Sequence, residues 1–189
     1  MATAVDTREA ILNAARAVAQ AYGYGGLSFR ELAKEVGIKS ASIHYHFPTK
    51  GDLAAALARQ YTERAQGELE AILAEADEPA VCLKRYVALF RRALENGNRM
   101  CLCGILAAGY EEIPPEVRAE VVAFADLNVA WLTKVLRRVG GARGAGKEQW
   151  AQALYAAIGG AQLAARSRGD IATFDRIVAG YRASGLIPG

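Results

Sequence analysis

The sequence predicts an all-α protein, with a small three-helix unit at the N-terminus and a larger helical region behind it. Apolar residues recur with a 3.6-residue period along nearly every segment, and no convincing two-residue alternation of a strand appears. Glycines and prolines punctuate that period at intervals suited to helix ends. A chain of 189 residues, 52% of them hydrophobic, can bury a sizeable helical core without disulfides or metal. The expected division is a module over residues 1–50 and a helical domain over residues 51–189.

The first helix covers residues 7–22, where Ile11, Ala15, Val18, Ala19 and Tyr22 form one stripe. Gly23-Tyr24-Gly25-Gly26 ends it. Ser28-Phe29-Arg30-Glu31 has the form of a capping box, in which Ser28 accepts from an amide three residues on and Glu31 reaches back. Leu32, Ala33 and Val36 give this second helix a buried side, and Gly37 supplies a sharp turn. A third short helix spans residues 40–46 and stops before Pro48. Thr49 caps the next helix, with Asp52 favourable in its first turn. Longer helices follow over residues 50–76, 79–95 and 99–111. Pro114-Pro115 then opens a helix to residue 139, and two more cover 148–167 and 173–184. Residues 140–146 form a flexible loop.

Composition excludes several classes. Lys+Arg 23 against Asp+Glu 20 gives a net charge of +3, too mild to mark a nucleic-acid binder, so any such charge must be local. The three cysteines, Cys82, Cys101 and Cys103, are an odd, sparse set and no disulfide framework. The first 16 residues lack the apolar run of a signal peptide, and no apolar run approaches a membrane span. A cytoplasmic protein without a membrane partner is the expectation.

Three short helices with a glycine turn between the second and third form a helix-turn-helix. The third is a poor core helix. Only Ile43 and Phe47 are clearly apolar, four apart and so on one face, while Lys39, Ser40, Ser42, His44, Tyr45 and His46 crowd the rest. Serine reads base edges or phosphates, and Lys and Tyr contact phosphate. No acid occurs from Lys39 to Gly51, and Lys50 joins backbone amides that can face a phosphate. The candidate DNA contacts are therefore Ser28, Arg30, Lys39, Ser40, Ser42, His44, Tyr45 and Lys50.

Gly37-Ile38-Lys39-Ser40-Ala41-Ser42-Ile43-His44-Tyr45-His46-Phe47-Pro48-Thr49-Lys50-Gly51-Asp52-Leu53 resembles the recognition segment of the TetR/AcrR family of bacterial transcriptional regulators. Ala10-Ile11-Leu12, Tyr22-Gly23-Tyr24 and Leu32-Ala33 match upstream, so the resemblance covers about the first third of the chain. It implies a homeodomain-like helix-turn-helix domain and a C-terminal helical domain for ligand sensing and dimerisation. It also implies a homodimer on a double-stranded, pseudo-palindromic operator, and release by a small-molecule effector. Two positions depart from the family. The family often has a hydroxyl residue directly before a lysine, whereas here Lys39 precedes Ser40, and a Ser40 cap would start the helix one residue later. His44 stands where the family favours Tyr, which makes DNA binding sensitive to pH.

Behind the module, Ala151, Ala153, Ala156, Ala157, Gly159, Gly160, Ala161, Ala164 and Ala165 make one helix small-sided, and Phe174, Ile177, Val178 and Tyr181 follow at helical spacing. Two such helices from each subunit make a four-helix bundle, as is usual in the resembled family. Aromatic and sulfur side chains of the middle helices include core residues and some that line an apolar effector pocket. Cys101, Cys103, Tyr110 and Trp131 are the candidates for effector or redox sensing. The stretch from Cys101 through Pro114-Pro115-Glu116-Val117-Arg118 is similar to a branch of the family in which some members sense electrophiles or oxidants with a cysteine here. A helix starting at Asn98 would put Cys101 in its first turn, where the dipole favours thiolate. The alternative is that both cysteines are small core or pocket-lining residues.

Other chemistries find little support. His44 and His46 are two apart on a helix and point to different sides, so no metal is expected. Residues 141–147 have phosphate-loop spacing, but Glu148 replaces the magnesium-binding hydroxyl and a helix precedes in place of a strand. A cysteine-dependent redox enzyme would need a CxxC in a strand-helix context, which is absent. No cofactor is expected, and the protein is read as a regulator rather than an enzyme.

Overall fold

The computed structural model describes residues 4–140 and 146–188. Among these residues the regular elements are all helical: α1 (Ala4–Tyr22), α2 (Phe29–Val36), α3 (Ser40–His46), α4 (Lys50–Glu75), α5 (Pro79–Glu95), α6 (Leu102–Ala108), α7 (Pro115–Arg137), α8 (Lys147–Arg168) and α9 (Ile171–Ala183). The all-α expectation holds. The glycine-rich stretch read as a linker falls outside the described residues over 141–145. Among the described residues, no helix is long and apolar enough to cross a membrane.

The chain forms two compact units: residues Met1–Glu63 with Leu102–Ala123, and Arg64–Cys101 with Phe124–Gly189. The first holds α1–α3, the first half of α4, α6 and the N-terminal part of α7 up to Ala123. It therefore includes more chain than the 1–50 module identified by its motif. In this unit α1 packs on α2, α3 and α6. Ile11, Leu12, Ala15 and Ala19 of α1 are buried with Leu32, Ile43, Phe47, Leu53 and Leu57. Burying each large aliphatic side chain contributes about 1.5–3 kcal/mol before entropy is subtracted.

The second unit packs α8 on α5 and α9, and α5 on α9. Its core combines apolar burial with satisfied polar groups. Tyr86 Oη donates to Asn128 Oδ1 (3.0 Å), and Asn128 Nδ2 donates to the Phe124 carbonyl (2.7 Å). Gln162, fully buried, donates to the Phe90 carbonyl at 2.8 Å and accepts from the Cys101 amide at 2.9 Å. Such bonds offset the desolvation that a buried polar group otherwise costs. Lys147, also buried, donates to the Val139 carbonyl near the end of α7 (3.2 Å).

One element departs from expectation. The helix expected over 99–111 is only Leu102–Ala108. Asn98 takes a left-handed φ of 56°, and Met100 and Cys101 run into the core in non-helical backbone. Cys101 thus precedes α6 instead of lying in its first turn, and its amide is satisfied by Gln162.

Candidate nucleic-acid interface

The turn that aims α3 is built from backbone geometry. Gly37 ends α2 at φ 75°, its N–H reaching the Ala33 and Lys34 carbonyls. A side chain there would meet nothing within 4 Å, so it is the left-handed backbone, not space, that favours glycine. Lys39 is the N-cap of α3, extended and without a side-chain cap bond. Ser40 is accordingly the first helical residue and not the cap, which corrects the later start considered from the sequence.

Ile43 and Phe47 are buried and anchor α3, as their spacing predicted. Lys39, Ala41, His44, Tyr45 and Pro48 are exposed, and Ser40, Ser42 and His46 are half-buried. Tyr45 is 82% exposed, a large ring with no core to fill. His44 is held more tightly. Its ring meets Phe29 edge-on at 4.7 Å between centroids, and its Nδ1 lies 3.4 Å from the Pro48 carbonyl. A carbonyl only accepts, so this contact makes Nδ1 the donor and leaves Nε2 for an outside partner.

At the head of α2, the Glu31 amide donates to Ser28 Oγ at 3.5 Å, one arm of the capping box. The other arm is not made. The Glu31 carboxylate instead accepts from Lys34 Nζ (3.1 and 3.2 Å) and Arg30 Nε (3.0 Å). Those two cations hold its carboxyl below the usual range, Lys34 contributing most. Ser28 keeps a hydroxyl hydrogen to donate, and Arg30 is solvent-exposed with its charge shared.

At the start of α4, Thr49 and Asp52 make the complete reciprocal box. Asp52 N–H donates to Thr49 Oγ1 (3.0 Å), while the Thr49 amide and hydroxyl donate to Asp52 Oδ2 (3.0 and 2.8 Å). The amides of Thr49 and Asp52 are therefore used within the protein. Lys50 is also engaged: its ammonium lies 4.3 Å from the Tyr24 ring centroid and 3.5 Å from the Gly25 carbonyl. Burial and the Glu116 carboxylate both raise the Tyr24 phenol.

Several of these partners were not singled out from the sequence. Arg8 stands over the Phe47 ring at 5.3 Å, bringing a cation from α1 beside the end of α3. Tyr24 entered as part of a helix-ending run and of the family resemblance, not as a partner of Lys50, and Glu116 lies too far along the chain for any local motif to link it to Lys50.

The residues proposed for sensing divide between the two units. Cys103 and Tyr110 belong to the first unit, Cys101 and Trp131 to the second. Cys101 and Cys103 are buried. Tyr110 is 55% exposed, with the Arg118 guanidinium 4.1 Å over its ring. Trp131 is buried, stacked on Tyr86 at 5.3 Å, and its indole N–H donates to the Leu69 carbonyl at 2.8 Å. Burial drives the Tyr86 phenol well above its ordinary value, with Tyr155 and Cys101 adding to it.

Residues 11–57 match the family model described as bacterial regulatory proteins, tetR family. No curated protein matches the chain. Among solved structures, a TetR-family transcriptional regulator from Agrobacterium tumefaciens is 30% identical, with a TM-score of 0.85 over 93% of this chain and 95% of its own. A TetR transcriptional regulator from Legionella pneumophila is 26% identical, with a TM-score of 0.87 over 97% and 98%. The reduced form of E. coli NemR shares the fold at 20% identity, with a TM-score of 0.82 over 94% and 96%. The helix-turn-helix at the N-terminus, the all-helical remainder and these full-length likenesses lead to one conclusion: the chain belongs to the TetR family of bacterial transcriptional regulators.

Proposed function

We propose that this protein is a cytoplasmic repressor that binds a pseudo-palindromic operator as a homodimer and is released by a small-molecule effector. The observation that carries the proposal is α3. Two buried anchors fix it, a left-handed glycine aims it, and its remaining faces offer hydroxyls, rings and a lysine to solvent. Tyr45, Ser42 and His44 read or position bases, and Lys39, Ser40, Ser28, Arg30 and Lys50 serve the phosphates. Residues 1–50 form the DNA-reading module, and residues 51–189 supply sensing and dimerisation.

The dimer is proposed to form through α8 and α9. Ala156, Gly160 and Leu163 of α8 and Ala179 and Gly180 of α9 are exposed, small or apolar, and suited to close helix approach. Two-fold symmetry then sets half-sites about one DNA turn apart, ~34–36 Å. Thiol sensing is the weaker signal input, because Cys101 and Cys103 are buried and Cys101 precedes α6, whereas reactive cysteines need exposure.

Selection of bound duplexes from a random DNA pool tests the proposal, followed by a ligand screen for release. A palindromic consensus bound by a dimer is expected. Sequence-independent retention, or tight binding by a monomer, would overturn it.

A further inference from the structure

The first unit contains a carboxylate that comes from outside the helix-turn-helix. Glu116 lies in the first turn of α7 and rests against the backbone of Gly51, so close that a Cβ at position 51 would collide with its Oε1. Pro114 Cγ would stand 3.1 Å from the same Cβ. The 114–116 turn thus lies directly against position 51.

The neighbouring residue is Lys50, whose ammonium sits on the Tyr24 ring and near the Gly25 carbonyl. Tyr24 lies between them: the lysine stands over its ring, and its phenol is raised first by burial and then by the Glu116 carboxylate. A second carboxylate comes from the same segment, since Glu112 Oε2 would stand 3.3 Å from a Cβ on Gly25. The nearby cation Arg118 is directed elsewhere, over Tyr110 and to the Ile113 carbonyl at 2.9 Å. The 112–116 segment thus brings two carboxylates against Gly25 and Gly51, the backbone on either side of the Lys50–Tyr24 contact.

We infer that Glu116 is an affinity-setting residue of the DNA-binding apparatus: a negative charge against Gly51, next in the chain to Lys50, that opposes phosphate there and holds down sequence-independent binding. This rests on the proposed operator-binding function. The physical logic is one of affinity scale, because a phosphate contact counts on every sequence alike. Backbone contacts supply nearly all of non-specific affinity, whereas base contacts supply the preference for an operator. A carboxylate beside a phosphate-binding lysine lowers the first and leaves the second. The protein then spends less of its time on unrelated DNA.

The experiment measures binding to a duplex carrying the selected operator and to a scrambled duplex of equal composition, over a salt series. Wild type, Glu116→Gln, Lys50→Ala and the double variant are compared. Glu116 is exposed, so its neutralisation leaves the core intact. Glu116→Gln is expected to tighten binding to the scrambled duplex by roughly 3- to 10-fold at low salt, as removal of one nearby like charge allows. The log–log salt slope should steepen by up to about one phosphate contact, and the ratio of operator to scrambled affinity should not rise. In the Lys50→Ala background the gain should vanish. Unchanged or weaker binding to scrambled DNA by Glu116→Gln overturns the inference, and so does a gain that persists without Lys50. Those results leave the regulator proposal standing if wild type still prefers its operator. Failure of wild type to prefer any duplex overturns the regulator proposal itself.

Discussion

At the scale of single residues, polar side chains do two separate jobs. Tyr45 is the exposed ring of α3, and Tyr45→Ala is expected to reduce operator affinity by ~1–3 kcal/mol. Competition between operator and scrambled duplex measures this, and equal loss on both would mean that Tyr45 contacts phosphate only. Tyr86 is the opposite case. Its hydroxyl satisfies Asn128 Oδ1 inside the second unit. Tyr86→Phe keeps the ring stacked on Trp131 but orphans a buried acceptor, so a stability loss of about 1–3 kcal/mol is expected in urea unfolding. An unchanged urea midpoint would show that Asn128 finds another donor.

At the scale of elements, Gly37 and the Arg91–Asp175 pair show what shape and charge each contribute. Gly37→Ala meets no atom but forces a Cβ into a left-handed backbone, which should cost about 1 kcal/mol and misaim α3. Thermal unfolding and operator binding together check this. Arg91 of α5 donates to both carboxylate oxygens of Asp175 on α9, at 2.8 and 3.0 Å. The bonded guanidinium holds the Asp175 carboxyl below its ordinary value. Stability from a depressed carboxyl is present above the unfolded value, near ~3.9, and lost as pH falls through the folded one. Because the pair is partly exposed, Asp175→Asn should cost under ~1 kcal/mol at pH 7. Its difference from wild type should close below about pH 4 in paired urea titrations. Most helices were legible because their ends carry local chemistry, such as Gly37, Pro79 and Pro115. The 99–111 segment was not. Its backbone leaves the helix to run into the core, where the Cys101 amide finds Gln162, a partner that no nearby pattern announces. The α3 anchors were legible from spacing alone, whereas the engagement of Lys50 by Tyr24 depends on packing across a turn.

At the scale of the molecule, operator affinity should depend on assembly. Leu163 is 56% exposed on α8, and Leu163→Glu would bring added negative charge into the proposed two-fold α8–α9 interface. Sedimentation at micromolar concentration should show monomer, and operator affinity should fall with it. A dimer that survives this substitution would put the interface on another face. The placement of the aromatic residues has a spectroscopic consequence. Both tryptophans, Trp131 and Trp150, lie in the second unit, one stacked and buried and the other donating its indole N–H to the Leu186 carbonyl at 2.8 Å. The first unit, with its reading helix, contains no indole at all. Emission excited at the red edge therefore comes from the second unit alone. A change in that emission when DNA is added would be a direct optical record of a signal that began at the reading helix and arrived in the other unit.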